Sequence, residues 1–213
     1  MIRIFDMMSS VYEGVTSQET WRENCEEIAS LFPEDRGARI LDVGCGPANS
    51  TMVYARVRPD STVVGADFSR GMLARARDAL RREGMEGRVH LLRTDAIKLP
   101  FADGTFDVVT GHSFLYLLPD PRAVLEDARR VLAPGGVCVF MEPGKPPWGA
   151  TAYAAKKSFR FLSSSIGWRV MSRWKGRFTP GSLRALLESA GLGVASVEVT
   201  LGGLGLTVAA RRE

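Results

Sequence analysis

The sequence lacks the features of a metal-stabilised, secreted or membrane-spanning protein. Its 213 residues include only three cysteines, Cys25, Cys45 and Cys138, and no Cys-x-x-Cys motif or Cys/His cluster, so we expect no metal site. The opening MIRIFDMMSS is too short and too polar for a signal peptide. No apolar run approaches the ~20 residues that a membrane span needs. We therefore expect a soluble protein of a reducing, cytoplasmic compartment.

Acidic residues are absent from one long segment. Between Glu142 and Glu188 there is no Asp or Glu, whereas nine Lys and Arg residues lie there. The other 19 basic residues face 24 acidic ones, so the overall charge of +4 divides into +9 for this segment and −5 for the rest. With 45% hydrophobic and 24% charged residues the composition is otherwise that of a globular protein, which excludes a mostly disordered chain, a collagen or a coiled coil.

Strand and helix patterns alternate as far as Glu142. The predicted strands are ARILDV, STVVGAD, RVHLLRTD, TFDVVTGHS and VCVFMEP, and helices are predicted at 17–31, 48–57, 69–83 and PRAVLEDARRVL. This alternation predicts a parallel sheet with helices on both faces and all strand carboxyl ends at one edge. We expect His90, inside the third strand, to be packed in the core. Residues 144–178 predict short helices, and after the helix SLRALLESAG two strands around Gly202–Gly203 predict an antiparallel hairpin.

Three acidic residues stand at the ends of the first three predicted strands. Asp42 precedes the loop Gly44–Gly46, Asp67 ends the second strand and Asp95 ends the third. Glycines let the backbone approach a nucleotide closely, and carboxylates can accept ribose hydroxyls or an adenine amino group. Asp42 suits a cationic ligand better than a pyrophosphate, and Ala48 replaces the third glycine of a dinucleotide loop. Both observations argue against a nicotinamide-dependent oxidoreductase.

The order of four motifs resembles the class I S-adenosylmethionine-dependent methyltransferases. The motifs are ILDVGCGPA, VVGADFSRGMLARAR, RTDAIKLPFADGTFDVV and RRVLAPGGVCVF, and the resemblance runs from about Phe5 to the C-terminal hairpin. It implies an α/β fold with a doubly wound, seven-stranded, mostly parallel sheet (the Rossmann-like methyltransferase fold), an antiparallel C-terminal hairpin and a helical lid. It also implies a single domain over residues 1–213, with an N-terminal helical cap at 1–36 and a substrate-covering insertion at 144–178.

The resemblance further implies a site for S-adenosyl-L-methionine. In it the glycine loop lies under the methionine part of the cofactor and Asp67 binds the ribose. Side chains of the second and third motifs flank the adenine and bind its amino edge, and an N-terminal tyrosine closes over the site. The implied cofactor-binding residues are Tyr12, Asp42, Gly44, Cys45, Gly46, Asp67, Phe68, Met72, Asp95, Ala96 and His112.

The implied activity is in-line transfer of a methyl group to a small-molecule or lipidic acceptor, which leaves S-adenosyl-L-homocysteine. A general base is needed only if the acceptor must lose a proton. The candidates are His112, Tyr116 and Glu142, and His112 is favoured. Within the superfamily the resemblance is closest to ubiquinone/menaquinone C-methyltransferases and bacterial phospholipid N-methyltransferases. Phe114–Leu117 stand where the quinone family has a polar Arg-Asn pair, so both acceptor classes stay open; a non-catalytic nucleoside-binding regulator is a remote third alternative.

Segment 145–184 interleaves its nine cations with aromatic and aliphatic residues. One interpretation, which we favour, is a lid whose arginine stems cover apolar residues. The other is a peripheral contact with the anionic inner face of a membrane. No nucleic-acid-binding module is recognisable, so we expect no nucleic-acid partner. Nothing in the sequence specifies the oligomeric state.

Overall fold

A central sheet of seven strands organises the part of the chain that the computed structural model describes, residues 19–34, 37–145 and 150–213. The strands are β1 (Arg39–Val43), β2 (Thr62–Asp67), β3 (Val89–Arg93), β4 (Phe106–His112), β5 (Leu132–Pro143), β6 (Gly193–Thr200) and β7 (Gly205–Arg211). Their order is β3-β2-β1-β4-β5-β7-β6, and β7 alone runs in the direction opposite to the other six strands. The predicted doubly wound sheet with an antiparallel C-terminal hairpin is confirmed.

Helices flank the sheet on both faces. They are α1 (Glu19–Ser30), α2 (Asn49–Val57), α3 (Arg70–Arg82), α4 (Pro121–Val131), α5 (Ala150–Lys157), α6 (Phe159–Lys175) and α7 (Pro180–Ser189), with 3-10 turns at Leu115–Leu117 and Leu201–Gly203. Side-chain caps begin several of them: the Ser69 hydroxyl accepts the Met72 N–H, and Thr179 and Ser182 form a reciprocal capping box. Within the described ranges, no helix combines the length and the apolar composition needed to cross a bilayer.

The sheet separates two hydrophobic clusters. Successive residues of β1 enter opposite clusters, because side chains alternate between the faces of a strand. Ile40 packs with α1, α2, α3 and α6, whereas Leu41 packs with α4 and α7. Both side chains are completely buried. The strand ends that carry the predicted site residues are therefore supported from both faces.

Segment 144–178 differs from the prediction of short helices. After α5 the chain forms α6, a continuous helix of 17 residues. The Ser158 hydroxyl caps its start by accepting the Phe161 N–H at 3.0 Å. Gly167 does not interrupt the helix, because Phe161 and Trp168, two turns apart, are both buried on the side that faces the core. Packing outweighs the cost of about 1 kcal/mol for an interior glycine.

The prediction that His90 is packed was wrong. The strand order places β3 at the edge of the sheet, and His90 is exposed there. The hydrophobic pattern of β3 resembles that of the central strands, so the sequence of the strand alone did not reveal its edge position.

Candidate functional site

The glycine loop leaves β1 at its carboxyl end and leads into α2. The N–H groups of Gly44 and Cys45 both donate to the Ala66 carbonyl oxygen of β2, at 2.8 and 3.1 Å. Gly44 has φ +70°, and a Cβ placed on it would lie 2.8 Å from the Phe114 ring. Both the backbone conformation and the aromatic neighbour therefore require glycine at this position.

Asp67 ties the glycine loop to the next helix. Its Oδ2 atom accepts the Gly46 N–H at 2.9 Å, and its Oδ1 atom accepts the Ser69 N–H at 2.8 Å. The side chain is only partly buried. A carboxylate at the end of β2 is thus brought against the loop, as expected from its place after the second strand.

Phe68 and Met72 continue from Asp67 into α3. Met72 is buried, whereas 44% of Phe68 is exposed. The Arg93 guanidinium lies 5.4 Å from the centroid of the Phe68 ring, and its Nε donates to the Phe68 carbonyl oxygen at 3.0 Å. One face of this exposed aromatic ring is therefore covered by a cation.

Asp95 and Ala96 follow β3 at the same edge of the sheet. The Thr94 N–H donates to the Asp67 carbonyl oxygen at 3.1 Å, which joins the ends of β3 and β2. Asp95 is exposed, and its Oδ1 accepts the Ile97 N–H at 3.2 Å. Its carboxylate thus makes a local turn hydrogen bond at the outer end of the row of strand-end acids.

Asp42 lies beneath the glycine loop and is completely buried. Its Oδ2 accepts the hydroxyl hydrogens of Ser50 and Thr51 at 2.8 and 2.6 Å. Its Oδ1 has no hydrogen-bond partner among the described residues. Burial raises the pKa of Asp42 to about 6, although the two hydroxyls oppose this shift. Asp42 holds the first turn of α2 against β1.

His112 ends β4 and is buried against Tyr54 of α2. The Tyr54 hydroxyl and His112 Nε2 form a hydrogen bond, whereas His112 Nδ1 has no partner in the described part of the chain. The Trp21 ring lies 5.8 Å from the imidazole. Burial lowers the pKa of His112 to about 3, so the imidazole is neutral at pH 7.

Glu142, near the end of β5, binds the segment that follows β4. Its Oε1 accepts the N–H groups of Phe114 and Leu115 at 3.1 and 2.9 Å, and its Oε2 accepts that of Tyr116 at 3.3 Å. Burial raises the pKa of Glu142 to about 8, against these three hydrogen bonds. Burial also raises the pKa of the Tyr116 hydroxyl, and the nearby Glu142 adds to this. Of the three candidate bases, Glu142 therefore has a carboxylate already occupied by backbone donors.

A narrow cleft opens at the glycine loop, and helices close over it. It is lined by Trp21, Gly44, Cys45, Pro47, Asn49, Ser50 and His112. Trp168 of α6 lies edge-on to Trp21, with ring centroids 6.3 Å apart, and its Nε1 donates to the Ser113 hydroxyl at 2.8 Å. Helix α6 is thus hydrogen-bonded directly to the residue after His112.

The structure brings Asp42, the glycine loop, Asp67 and His112 together. Sequence reasoning missed three residues of this site, Trp21, Tyr54 and Ser113, and it covered Trp168 only as one of the aromatic residues of segment 145–184. Trp21 and Tyr54 sit in helical patterns where any large apolar side chain would fit, so their types carried no functional signal. Tyr12 lies outside the described residues.

The comparisons with known proteins agree with this geometry. A family profile described as "Methyltransferase domain" matches residues 41–140. The demethylmenaquinone methyltransferase of Bacillus velezensis is 32% identical over 214 residues, covering 95% of this chain and 90% of the relative. The chain belongs to the class I S-adenosylmethionine-dependent methyltransferases. The demethylmenaquinone methyltransferase of Thermus thermophilus is 33% identical over 192 residues, covering 85% of each chain.

Solved structures share the fold of this methyltransferase at low identity. An S-adenosylmethionine-dependent methyltransferase from Aquifex aeolicus superposes with a TM-score of 0.73 at 20% identity, covering 96% of this chain and 98% of that one. The [4+2]-cyclase SpnF also superposes with a TM-score of 0.73, at 19% identity, covering 99% and 94%. Because a cyclase shares the fold, the fold alone does not specify methyl transfer.

The residues at the loop fit S-adenosylmethionine, the methyl donor of this family. One buried polar atom beneath the loop, Asp42 Oδ1, lacks a protein partner within the described ranges. A buried acceptor without a partner is costly, so a ligand that carries an ammonium group suits this place. The partly buried carboxylate of Asp67 lies beside the same loop, and a carboxylate can accept ribose hydroxyls.

Proposed function

We propose that this methyltransferase C-methylates the ring of a lipidic quinol. The observation that supports this most is the similarity to demethylmenaquinone methyltransferases over 95% of this chain and 90% of the relative. The indole ring of Trp21 lines the cleft and adds a flat apolar surface suited to an aromatic acceptor.

The cofactor-binding assignments follow from the resemblance and stay part of this proposal. When bound, S-adenosylmethionine supplies an electrophilic methyl group and leaves as a neutral thioether. Backbone at Gly44–Gly46 holds its methionine part and Asp67 accepts the ribose hydroxyls. Phe68 and Met72 flank the adenine, and Asp95 with Ala96 binds its amino edge. Tyr12 completes the set as the closing residue.

On the sequence alone, His112 is the favoured general base. We propose instead that its neutral imidazole donates a hydrogen bond. If the Tyr54 hydroxyl donates to Nε2, the single proton of the neutral ring is on Nδ1. Nδ1–H can then bind the quinol oxygen and stabilise the negative charge that develops as the O–H proton leaves to water. The phenolate makes the ring carbon nucleophilic. This carbon takes the methyl group as the carbon–sulfur bond breaks, and it then loses its own proton to water, which restores the aromatic ring. A base with a pKa near 3 would be too weak to take the proton itself.

The tautomer can be read directly, because the chain has only two histidines. In ¹⁵N spectra of histidine-labelled protein, we expect His112 to stay neutral and Nδ1-protonated from pH 5 to 8. Exposed His90 supplies the second set of histidine signals. Tyr54→Phe is expected to change the His112 tautomer populations. A His112 ring that titrates near pH 6.5, or that carries its proton on Nε2, contradicts the donor role.

Kinetics test the same role. His112→Asn keeps an N–H near the position of Nδ1, whereas His112→Leu removes it. We expect His112→Leu to lower kcat about 100-fold, comparable to the loss of one transition-state donor. His112→Asn should retain more of kcat, and both should bind S-adenosylmethionine within a few-fold of the parent. Equal turnover of all three proteins would end the assignment.

Acceptor assays test the function itself. We expect S-adenosylhomocysteine and a ring-methylated product, identified by mass spectrometry, with a short-chain reduced demethylmenaquinone. Phosphatidylethanolamine vesicles test the second candidate, phospholipid N-methylation. One observation supports this candidate: Phe114–Leu117 lack the polar Arg-Asn pair of the quinone family. Methylation of the headgroup amine alone would replace the proposal. Calorimetric binding of S-adenosylmethionine with no turnover on either acceptor would favour the non-catalytic binder.

A further inference from the structure

Helix α6 has a second apolar side that faces away from the protein. Phe159, Ile166 and Val170 are 84%, 47% and 57% exposed. Their spacings of seven and four residues put them in one stripe along the helix. Phe161 and Trp168 are buried on the opposite side. One side of the helix therefore packs on the protein beside Trp21 of the cleft, and the other side offers an apolar row to the outside.

Three cationic side chains lie near this row in the sequence: Lys156 at the end of α5, and Arg169 and Arg173 in α6. They take no part in the ion pairs that described residues form. Arg177 folds back onto α6, with Nε donating to the Ser172 hydroxyl at 3.0 Å. Burial, and then the nearby guanidinium groups of Arg169 and Arg173, lower the pKa of Arg177. The cations thus lie close enough to repel one another.

We propose that this outer surface, Phe159, Ile166 and Val170 with Lys156, Arg169 and Arg173, docks on an anionic phospholipid bilayer. The three apolar residues span about 16 Å of helix, at 1.5 Å per residue. A helix lying in the membrane interface would place them at the boundary of the acyl chains and the cations among the headgroups. The two interpretations of segment 145–184 then describe opposite sides of one helix.

Charge complementarity favours a bilayer over a protein partner. No acidic residue lies between Glu142 and Glu188, so nothing in this segment opposes an anionic surface. Among the described side chains of α6, the most exposed apolar ones form a row, and a fluid interface accepts such a row. The proposal does not depend on which acceptor is methylated.

Vesicle sedimentation tests the surface with the whole chain and no acceptor. In 0.1 M salt we expect binding to vesicles containing phosphatidylglycerol, at least tenfold weaker binding to pure phosphatidylcholine, and weakening in 1 M salt. The triple variant Phe159→Ser/Ile166→Ser/Val170→Ser should bind at least tenfold more weakly. Lys156→Gln/Arg173→Gln should weaken binding about 25-fold, since each surface cation contributes about fivefold.

Matched variants elsewhere on the surface are the controls. Val57→Ser/Ile97→Ser/Val199→Ser removes three other exposed apolar side chains, and Arg77→Gln/Arg81→Gln removes two other exposed cations. Both controls should bind like the parent. Parental binding by the triple variant, or equal losses in the controls, overturns the proposal. So does equal binding to both lipids, or self-association through α6 without vesicle binding. Turnover of a soluble acceptor is measured in parallel, so that failure of docking is separate from failure of the proposed reaction.

Discussion

Ala48 holds a backbone conformation that is unfavourable for an L-residue. It precedes α2 with φ 65° and ψ 23°, in the left-handed region, and it is completely buried. This region costs a non-glycine residue roughly 1–2 kcal/mol. We expect Ala48→Gly to raise the free energy of unfolding in urea by about 1 kcal/mol.

The control for Ala48 lies in the same helix. Ala55 has helical geometry within α2, so Ala55→Gly should lower the free energy of unfolding by about 1 kcal/mol. A loss of stability in Ala48→Gly would show that the methyl group packs more favourably than the backbone conformation costs.

Glu142 should make stability fall as pH rises above neutrality. Its pKa is raised from 4.5 to about 8, so the native state holds this proton more tightly than the unfolded state. The contribution is complete below pH 4.5 and is lost as pH rises towards 8. The raised pKa of Asp42 also makes stability fall as pH rises, but only up to about pH 6. The lowered pKa of His112 makes stability rise with pH, but only below pH 6.5.

The pH range 6.5–8 therefore isolates Glu142. We expect the free energy of unfolding to fall there with a slope of up to about 1.4 kcal/mol per pH unit. Glu142→Gln keeps one acceptor oxygen for the backbone N–H groups and should flatten this slope, at a cost of about 1 kcal/mol at pH 6.5. Urea titrations at three pH values measure both effects, and an unchanged slope in the variant would assign it to another group.

At the residue level, local sequence located the acids but not their partners. Asp42 and Asp67 follow recognisable strands, so their places near the glycine loop were predictable. The role of Glu142 was not, because the N–H groups that it accepts belong to residues 26–28 positions away.

Among the secondary-structure elements, α6 is joined by a side-chain hydrogen bond to the residue that follows β4. Trp168 Nε1 donates to the Ser113 hydroxyl, and Ser113 has φ 55°. We expect Trp168→Phe to lower the free energy of unfolding by about 1–2 kcal/mol through the lost hydrogen bond and apolar area. We also expect kcat/KM to fall about tenfold, because the lid would align the reactants and exclude water less well.

A double-mutant cycle with Ser113→Ala distinguishes the bond from the loss of area. If the bond anchors the lid, the two substitutions should be coupled by about 1 kcal/mol. Strict additivity would indicate that packing of the indole alone holds α6 in place.

The sequence predicted which segments form helices and which form strands better than it predicted how these elements pack together. The alternation of apolar runs and glycines indicated each of the five strands up to Glu142. The edge position of β3 and the length of α6 were not indicated. Both depend on which elements pack beside them: β3 has only β2 as a neighbour, and α6 is held by burial of Phe161 and Trp168.

In the whole molecule, one sheet joins the two hydrophobic clusters, so we expect one cooperative unfolding transition. Ile28 and Leu187 are completely buried in different clusters. Ile28→Ala and Leu187→Ala should each lower the free energy of unfolding by about 2–5 kcal/mol. Far-ultraviolet circular dichroism and tryptophan fluorescence should give coincident transitions in both variants.

Val199→Ala is the control for these core substitutions. Val199 is 61% exposed on β6, so this variant should stay within about 0.5 kcal/mol of the parent. Separate transitions by the two probes in either core variant would show that the faces of the sheet unfold independently.

The amino-acid sequence by itself determined the order of strands and helices, the glycine loop, the strand-end acids and the excess of positive charge after Glu142. These features depend on local patterns with periods of two to four residues, which remain legible without the fold. The tertiary structure decided which side of α6 is buried and which residues form hydrogen bonds with each site residue. Tyr54 and His112 are 58 positions apart, and Ser113 and Trp168 are 55 apart. Such contacts exist only after the sheet and its helices have packed, so no local pattern could specify them.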